Sequence, residues 1–156
     1  MKLLFVCTGN TCRSPLAEHI ARKLLIERGL SNVEVASAGT SAWDGAPASD
    51  GALLVGMERR LDLGAHRSQA LTRTLVEESD VVLAMGPHHL ERIEALGGSG
   101  KSYLLASYAS HGASSRSISD PIGGDLAVYR ATVDELEDEI KRALDRLLAE
   151  RETGPR

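Results

Sequence analysis

The sequence predicts an α/β domain in which helices cover both faces of a four-stranded parallel sheet, a three-layer arrangement. Three observations lead there. Short apolar runs without alternation, such as residues 3–6 and 81–83, suit strands buried on both faces. Segments with apolar residues at helical spacing separate them. The resulting strand, helix, strand units have right-handed crossovers, which make the first two strands parallel neighbours.

Residues 3–6, Leu-Leu-Phe-Val, form the first strand, and Pro15 opens the first helix. Leu16, Ala17, Ile20, Ala21, Leu24 and Leu25 line one face of that helix until Gly29 stops it. Residues 33–37 are the second strand. A Gly-, Ala- and Ser-rich loop over 38–50 holds Trp43, the only tryptophan, and a helix over 48–60 is expected to turn Leu53, Leu54 and Met57 inward. Thr72 caps a short helix through Val76. Residues 80–85 are the third strand, 87–96 a helix ended by Gly97-Gly98, and 101–105 the fourth strand. A long polar loop is expected over 106–119, then Asp120-Pro121-Ile122-Gly123-Gly124. The last helix spans 126–148, with Tyr129, Val133, Leu136, Ile140, Leu144 and Leu147 as its core stripe. A single domain over residues 1–150 and a flexible tail over 151–156 are expected.

The chemistry gathers between the first strand and the first helix, in Cys7-Thr8-Gly9-Asn10-Thr11-Cys12-Arg13-Ser14-Pro15. Cys7 and Arg13 have five residues between them, enough for a tight loop to close round a tetrahedral anion with the thiol beneath and the guanidinium beside it. Loop N–H groups and the helix dipole converge there, and an Arg fork holds two phosphate oxygens at once. The same groups and the Ser14 hydroxyl favour a thiolate, the nucleophilic form. Gly9 is suited to close backbone approach or positive φ, and Asn10 to left-handed backbone with a bond back to the loop.

With 18 Lys and Arg against 22 Asp and Glu, the net charge of −4 argues against a general nucleic-acid or membrane binder. No run is long enough to span a bilayer, so a cytoplasmic protein is expected. Cys7 and Cys12 are too close to act as a structural cross-link, and with His88-His89 they lack zinc-motif spacing, so no metal or cofactor is expected. Adjacent histidines at a helix start suit surface or capping roles. Oligomeric state is left open.

Residues 6–18, from Val6-Cys7-Thr8-Gly9 through Leu16-Ala17-Glu18, resemble the signature of the low-molecular-weight protein tyrosine phosphatases. The likeness extends to Ser37-Ala38-Gly39-Thr40 and Asp120-Pro121, nearly the whole chain. It implies a flavodoxin-like sheet of order 2-1-3-4 and phosphorylated proteins as substrates. Cys7 is then the nucleophile, Arg13 the oxyanion holder and Asp120 the general acid, with Thr8, Gly9, Asn10, Thr11, Cys12 and Ser14 completing the phosphate loop. Trp43 matches an aromatic wall of the family's cleft. His66 matches a family position too, where a backbone hydrogen bond explains it better than catalysis.

Thr11 stands where tyrosine-directed members carry a bulky aliphatic residue, and the loop is similar to that of bacterial protein-arginine phosphatases. Asp120-Pro121-Ile122 also lacks the aromatics that sandwich a phenol. Both favour phosphoarginine over phosphotyrosine, although Ile122 replaces a Phe frequent in arginine-directed relatives. Arsenate reductases share the Cys-x5-Arg loop but need further cysteines outside it, and a non-catalytic phosphate-binding module leaves Cys7, Arg13 and Asp120 together unexplained. Cys12 lies near enough to trap an oxidised Cys7 as a reversible disulfide.

Overall fold

The computed structural model describes residues 1–153. Its sheet has the order β2-β1-β3-β4, all parallel: β1 Lys2–Cys7, β2 Glu34–Gly39, β3 Val81–Ala84 and β4 Ser102–Leu104. Period-two alternation along β1 divides the core. Leu3, Phe5 and Cys7 face α1 (Arg13–Glu27) and α6 (Leu126–Thr153), while Leu4 and Val6 face α3 (Arg73–Glu78) and α4 (Pro87–Ile93). All five are buried, which explains why the strand reads as a continuous apolar run. The six residues of the predicted stripe on α6 are buried too.

Four expectations need correction. In α2 (Asp50–Glu58) the buried residues are Ala52, Val55 and Gly56, while Leu54 and Met57 are 54% and 74% exposed. Gly51 explains the rotation: a Cβ there would meet the Tyr129 ring at 2.4 Å, so the helix turns its small residues toward α6. The segment after β4 is not all loop, because α5 (Leu105–Ala109) buries Leu105, Ala106, Tyr108 and Ala109. Beyond Ile93 the chain passes into a π-type turn over Glu94–Gly98 and leaves it at Gly97, with φ of 96°. Finally, α6 continues through Thr153, so 151–153 are helix rather than tail. Glu150 accepts hydrogen bonds from Tyr108 Oη at 3.0 Å and Arg146 Nε at 2.7 Å. The rest of the predicted tail, 154–156, lies outside the described residues.

Cys7 ends β1 opposite Gly39, the last residue of β2. The two chains run so close that a Cβ on Gly39 would sit 2.5 Å from the Thr8 carbonyl oxygen and 3.0 Å from Asn10 N. That approach seats the loop after Cys7 on the carboxyl edge of the sheet, where open α/β sheets bind ligands.

Candidate active site

The predicted loop forms a cradle. Cys7 is a buried free thiol whose Sγ lies 2.9 Å from Ser14 Oγ. Arg13, in the first turn of α1, is buried as well. Its Nη1 donates to the Ile118 carbonyl at 3.1 Å, and its Nη2 lies 3.5 Å from Asp120 Oδ2. One guanidinium thus joins the cradle to the loop that carries Asp120, whose side chain is half exposed. Among the described residues, the N–H groups of Gly9, Asn10, Thr11 and Cys12 donate to no protein acceptor. Four unspent donors beside a helix N-terminus suit a bound oxyanion.

Asn10 holds the shape. It alone in the cradle takes positive φ, 56°, so the left-handed position falls on Asn10 and not on Gly9. Its Nδ2 donates to Ser14 Oγ at 2.8 Å and to Ser37 Oγ at 2.9 Å, and its Oδ1 accepts from Gln69 N at 3.0 Å. His66 Nε2 donates to the Asn10 carbonyl at 2.8 Å, the backbone role expected of it. Ser37 in turn donates to Glu18 Oε1 at 2.6 Å.

Thr11 and Cys12 tie the loop to α2 and α6. The Thr11 carbonyl accepts from Ser49 N at 2.9 Å, tying the loop to the cap of α2, and Thr11 Oγ1 stands 3.9 Å from Cys12 Sγ. Cys12 is a buried free thiol, 3.1 Å from Ser49 Oγ and 3.4 Å from Tyr129 Oη. Burial, then the bond to Cys12, holds the Tyr129 phenol above its ordinary range.

Two loops flank the cradle. Thr40 N and Ser41 N donate to the Cys7 and Thr8 carbonyls, each at 2.9 Å, and stitch the loop carrying Trp43 to the backbone at the start of the cradle. The indole is 85% exposed. On the other side, Ile118 is buried and its N–H donates to the Met85 carbonyl at 2.8 Å. Arg116 pairs with Glu135 and Glu139 on α6, and Ser119 N donates to Glu135. These contacts hold the stem from which Asp120 projects. Ile122, two residues on, is 65% exposed, and its N–H donates to Asp120 Oδ1 at 3.1 Å.

The adjacent histidines differ from the surface role expected of them. His88 is exposed, but His89 is fully buried with Nε2 2.8 Å from Thr8 Oγ1. Burial first, then the neighbouring His88 and Arg13, push it down to about 4, so it is neutral at physiological pH. Among the described residues, no group of three or more His, Cys, Asp or Glu is placed to hold a metal ion, and no helix is long and apolar enough to cross a membrane.

The chain is similar to known phosphatases. The family described as low molecular weight phosphotyrosine protein phosphatase matches residues 2–153. A protein-arginine-phosphatase of Bacillus subtilis is 38% identical over 155 residues, 97% of this chain and 99% of that one. The low molecular weight protein-tyrosine-phosphatase PtpB of Staphylococcus haemolyticus is 36% identical over 137 residues, 87% and 92% of the two chains. Among solved structures, the YwlE arginine phosphatase, in a variant with a phosphorylated active-site serine, superposes with a TM-score of 0.90 at 36% identity, covering 97% of this chain and 99% of that one.

Proposed function

The chain belongs to the low molecular weight phosphotyrosine protein phosphatase family, and we propose that it is a cysteine-dependent protein phosphatase preferring phosphoarginine. The observation that carries this reading is the cradle itself: a buried thiol beside Ser14, four unspent N–H donors, and Arg13 shared with Asp120.

In the first step the Cys7 thiolate attacks phosphorus in line with the leaving group. The S–P bond forms as the P–N bond of phosphoarginine, or the P–O bond of an aryl phosphate, breaks. The loop N–H groups and Arg13 hold the equatorial oxygens, and Asp120 gives its proton to the departing nitrogen or oxygen. In the second step Asp120 takes a proton from the attacking water, phosphate leaves, and the Ser14 hydroxyl, 2.9 Å from Sγ, stabilises the returning thiolate.

Three features support phosphoarginine: Thr11 beside the nucleophile, the aliphatic Ile122 after Asp120-Pro121, and full-length similarity to proteins named protein-arginine-phosphatase. The Thr11 hydroxyl leaves room for a planar guanidinium and accepts a hydrogen bond from it, and Asp120, once it has given up its proton, pairs with the charge of the released guanidinium. Strict phosphotyrosine specificity is the second reading, and the exposed indole of Trp43, a ready stacking face, favours it. Measuring kcat/KM for phosphoarginine and phosphotyrosine peptides in parallel, with Cys7→Ser as blank, separates the two. Arginine preference that Thr11→Ile erases supports the proposal, whereas a tyrosine preference overturns it. The proposed setting is the cytoplasm, where neighbouring thiols stay reduced between oxidative events.

A further inference from the structure

His89 belongs to neither the nucleophile nor the acid loop, yet its ring is buried against the residue that follows Cys7. Two facts about it need a common explanation. Nε2 lies at hydrogen-bond distance from Thr8 Oγ1, 2.8 Å, while Nδ1 is buried with no partner among the described residues. A neutral imidazole has one N–H. Placed on Nδ1, it would be a buried donor without an acceptor, the costlier kind of unmet group. Placed on Nε2, it meets Thr8 Oγ1 and leaves only a lone pair unmet. The second tautomer is therefore the stable one, and the Thr8 hydroxyl is the acceptor.

That assignment has a consequence for Thr8. With a lone pair of Oγ1 taken by His89, the hydroxyl proton turns away from the imidazole. Thr8 is only partly buried and directly follows the nucleophile. The Thr8 carbonyl is held by Ser41 N, so the backbone of this residue is fixed as well as its side chain. Arg13 and Asp120 both act on the ionisation of His89, which puts the ring within range of the two charges that frame the site. The cost of ionising it where it is buried keeps it neutral, as a one-way donor requires.

We propose that His89 is a positioning residue of the phosphatase site: its Nε2–H holds Thr8 Oγ1 and thereby aims the Thr8 hydroxyl proton at the phosphorylated substrate over Cys7. The inference rests on the reading of Cys7 as phosphoryl acceptor. His89 itself touches no reacting atom.

The test is steady-state hydrolysis of p-nitrophenyl phosphate by the full chain carrying His89→Leu, His89→Gln, Thr8→Val, or His89→Leu with Thr8→Val. Leucine fills the space without a donor, and glutamine restores an N–H near Nε2. His89→Leu and Thr8→Val are each expected to lower kcat about 10-fold with little change in KM, the double variant to be no worse than either, and His89→Gln to recover most of the loss. A loss that multiplies in the double variant, a His89→Gln as impaired as His89→Leu, or a His89→Leu within about 2-fold of wild type overturns the inference. If His89→Leu fails to fold, Thr8→Val alone decides, because unchanged kcat there removes any role for the aimed hydroxyl. A wild-type chain without Cys7-dependent turnover overturns the functional reading itself, and the two failures are told apart by that control.

Discussion

Replacing Asn10 by alanine removes the fastening that shapes the cradle, and the structure sets the size of the effect. The side chain is fully buried and makes three hydrogen bonds, to Ser14, Ser37 and Gln69 N. Each contributes about 1 kcal/mol net, or about 3 kcal/mol together, with the freed buried partners keeping the sum from being smaller. Alanine at φ of 56° adds about 1 kcal/mol of left-handed strain. Asn10→Ala is therefore expected to lose about 4 kcal/mol, which a domain of ordinary stability, about 5–15 kcal/mol, survives. Asn10→Gly loses the same bonds without the strain. Its more flexible unfolded chain returns about 0.5 kcal/mol or more of that gain, so it should be up to about 0.5 kcal/mol more stable than Asn10→Ala. Equilibrium urea unfolding at pH 7 measures both, and turnover should fall in both because Ser14 loses its orientation toward Cys7. A loss below about 1 kcal/mol in Asn10→Ala, or a glycine variant less stable than the alanine one, would refute the reasoning.

Asp120→Asn should lower kcat by about 10²- to 10⁴-fold for substrates with poor leaving groups and much less for p-nitrophenyl phosphate, which needs little protonation; equal losses would remove Asp120 as the acid. His89 links stability to pH. Because its folded value, about 4, lies below its ordinary 6.5, the unfolded chain binds more protons between the two, and stability declines as pH falls through that window by up to about 3 kcal/mol. Urea midpoints from pH 7 to 4 should fall less steeply in His89→Gln, and an unchanged slope would contradict this; Arg13, His88 and Asp120 are the charged neighbours present in both proteins. After peroxide treatment, Cys12→Ala should recover less activity with reductant than wild type does, and equal recovery would remove the disulfide role of Cys12.

How much of this the sequence reveals depends on the kind of contact. The β1 run, the cradle, the sheet order and the stripe on α6 follow from patterns local to each segment, or from a likeness at the cradle. The face of α2 does not, because a glycine opposite Tyr129, a residue 78 positions on, decides it. The short helix α5 reads as loop because it has only five residues, Ser107 interrupts its apolar ones and Ser110 ends it, although Leu105 and Tyr108 are buried. His89 escapes a reading by local composition, but topology holds a signal for it. Pro87 starts α4 directly after β3, so the histidines behind it lie at the same sheet edge as the cradle.

The central claim is that the phosphoryl group passes through Cys7. Mixing the protein with excess p-nitrophenyl phosphate, quenching on the millisecond scale and mapping the adduct by mass spectrometry tests it most directly. The expected result is one phosphoryl group on Cys7 in the wild type, accumulating further in Asp120→Asn, whose water step lacks its base. Turnover with no phosphoryl group on Cys7, or turnover undiminished in Cys7→Ser, would contradict the account.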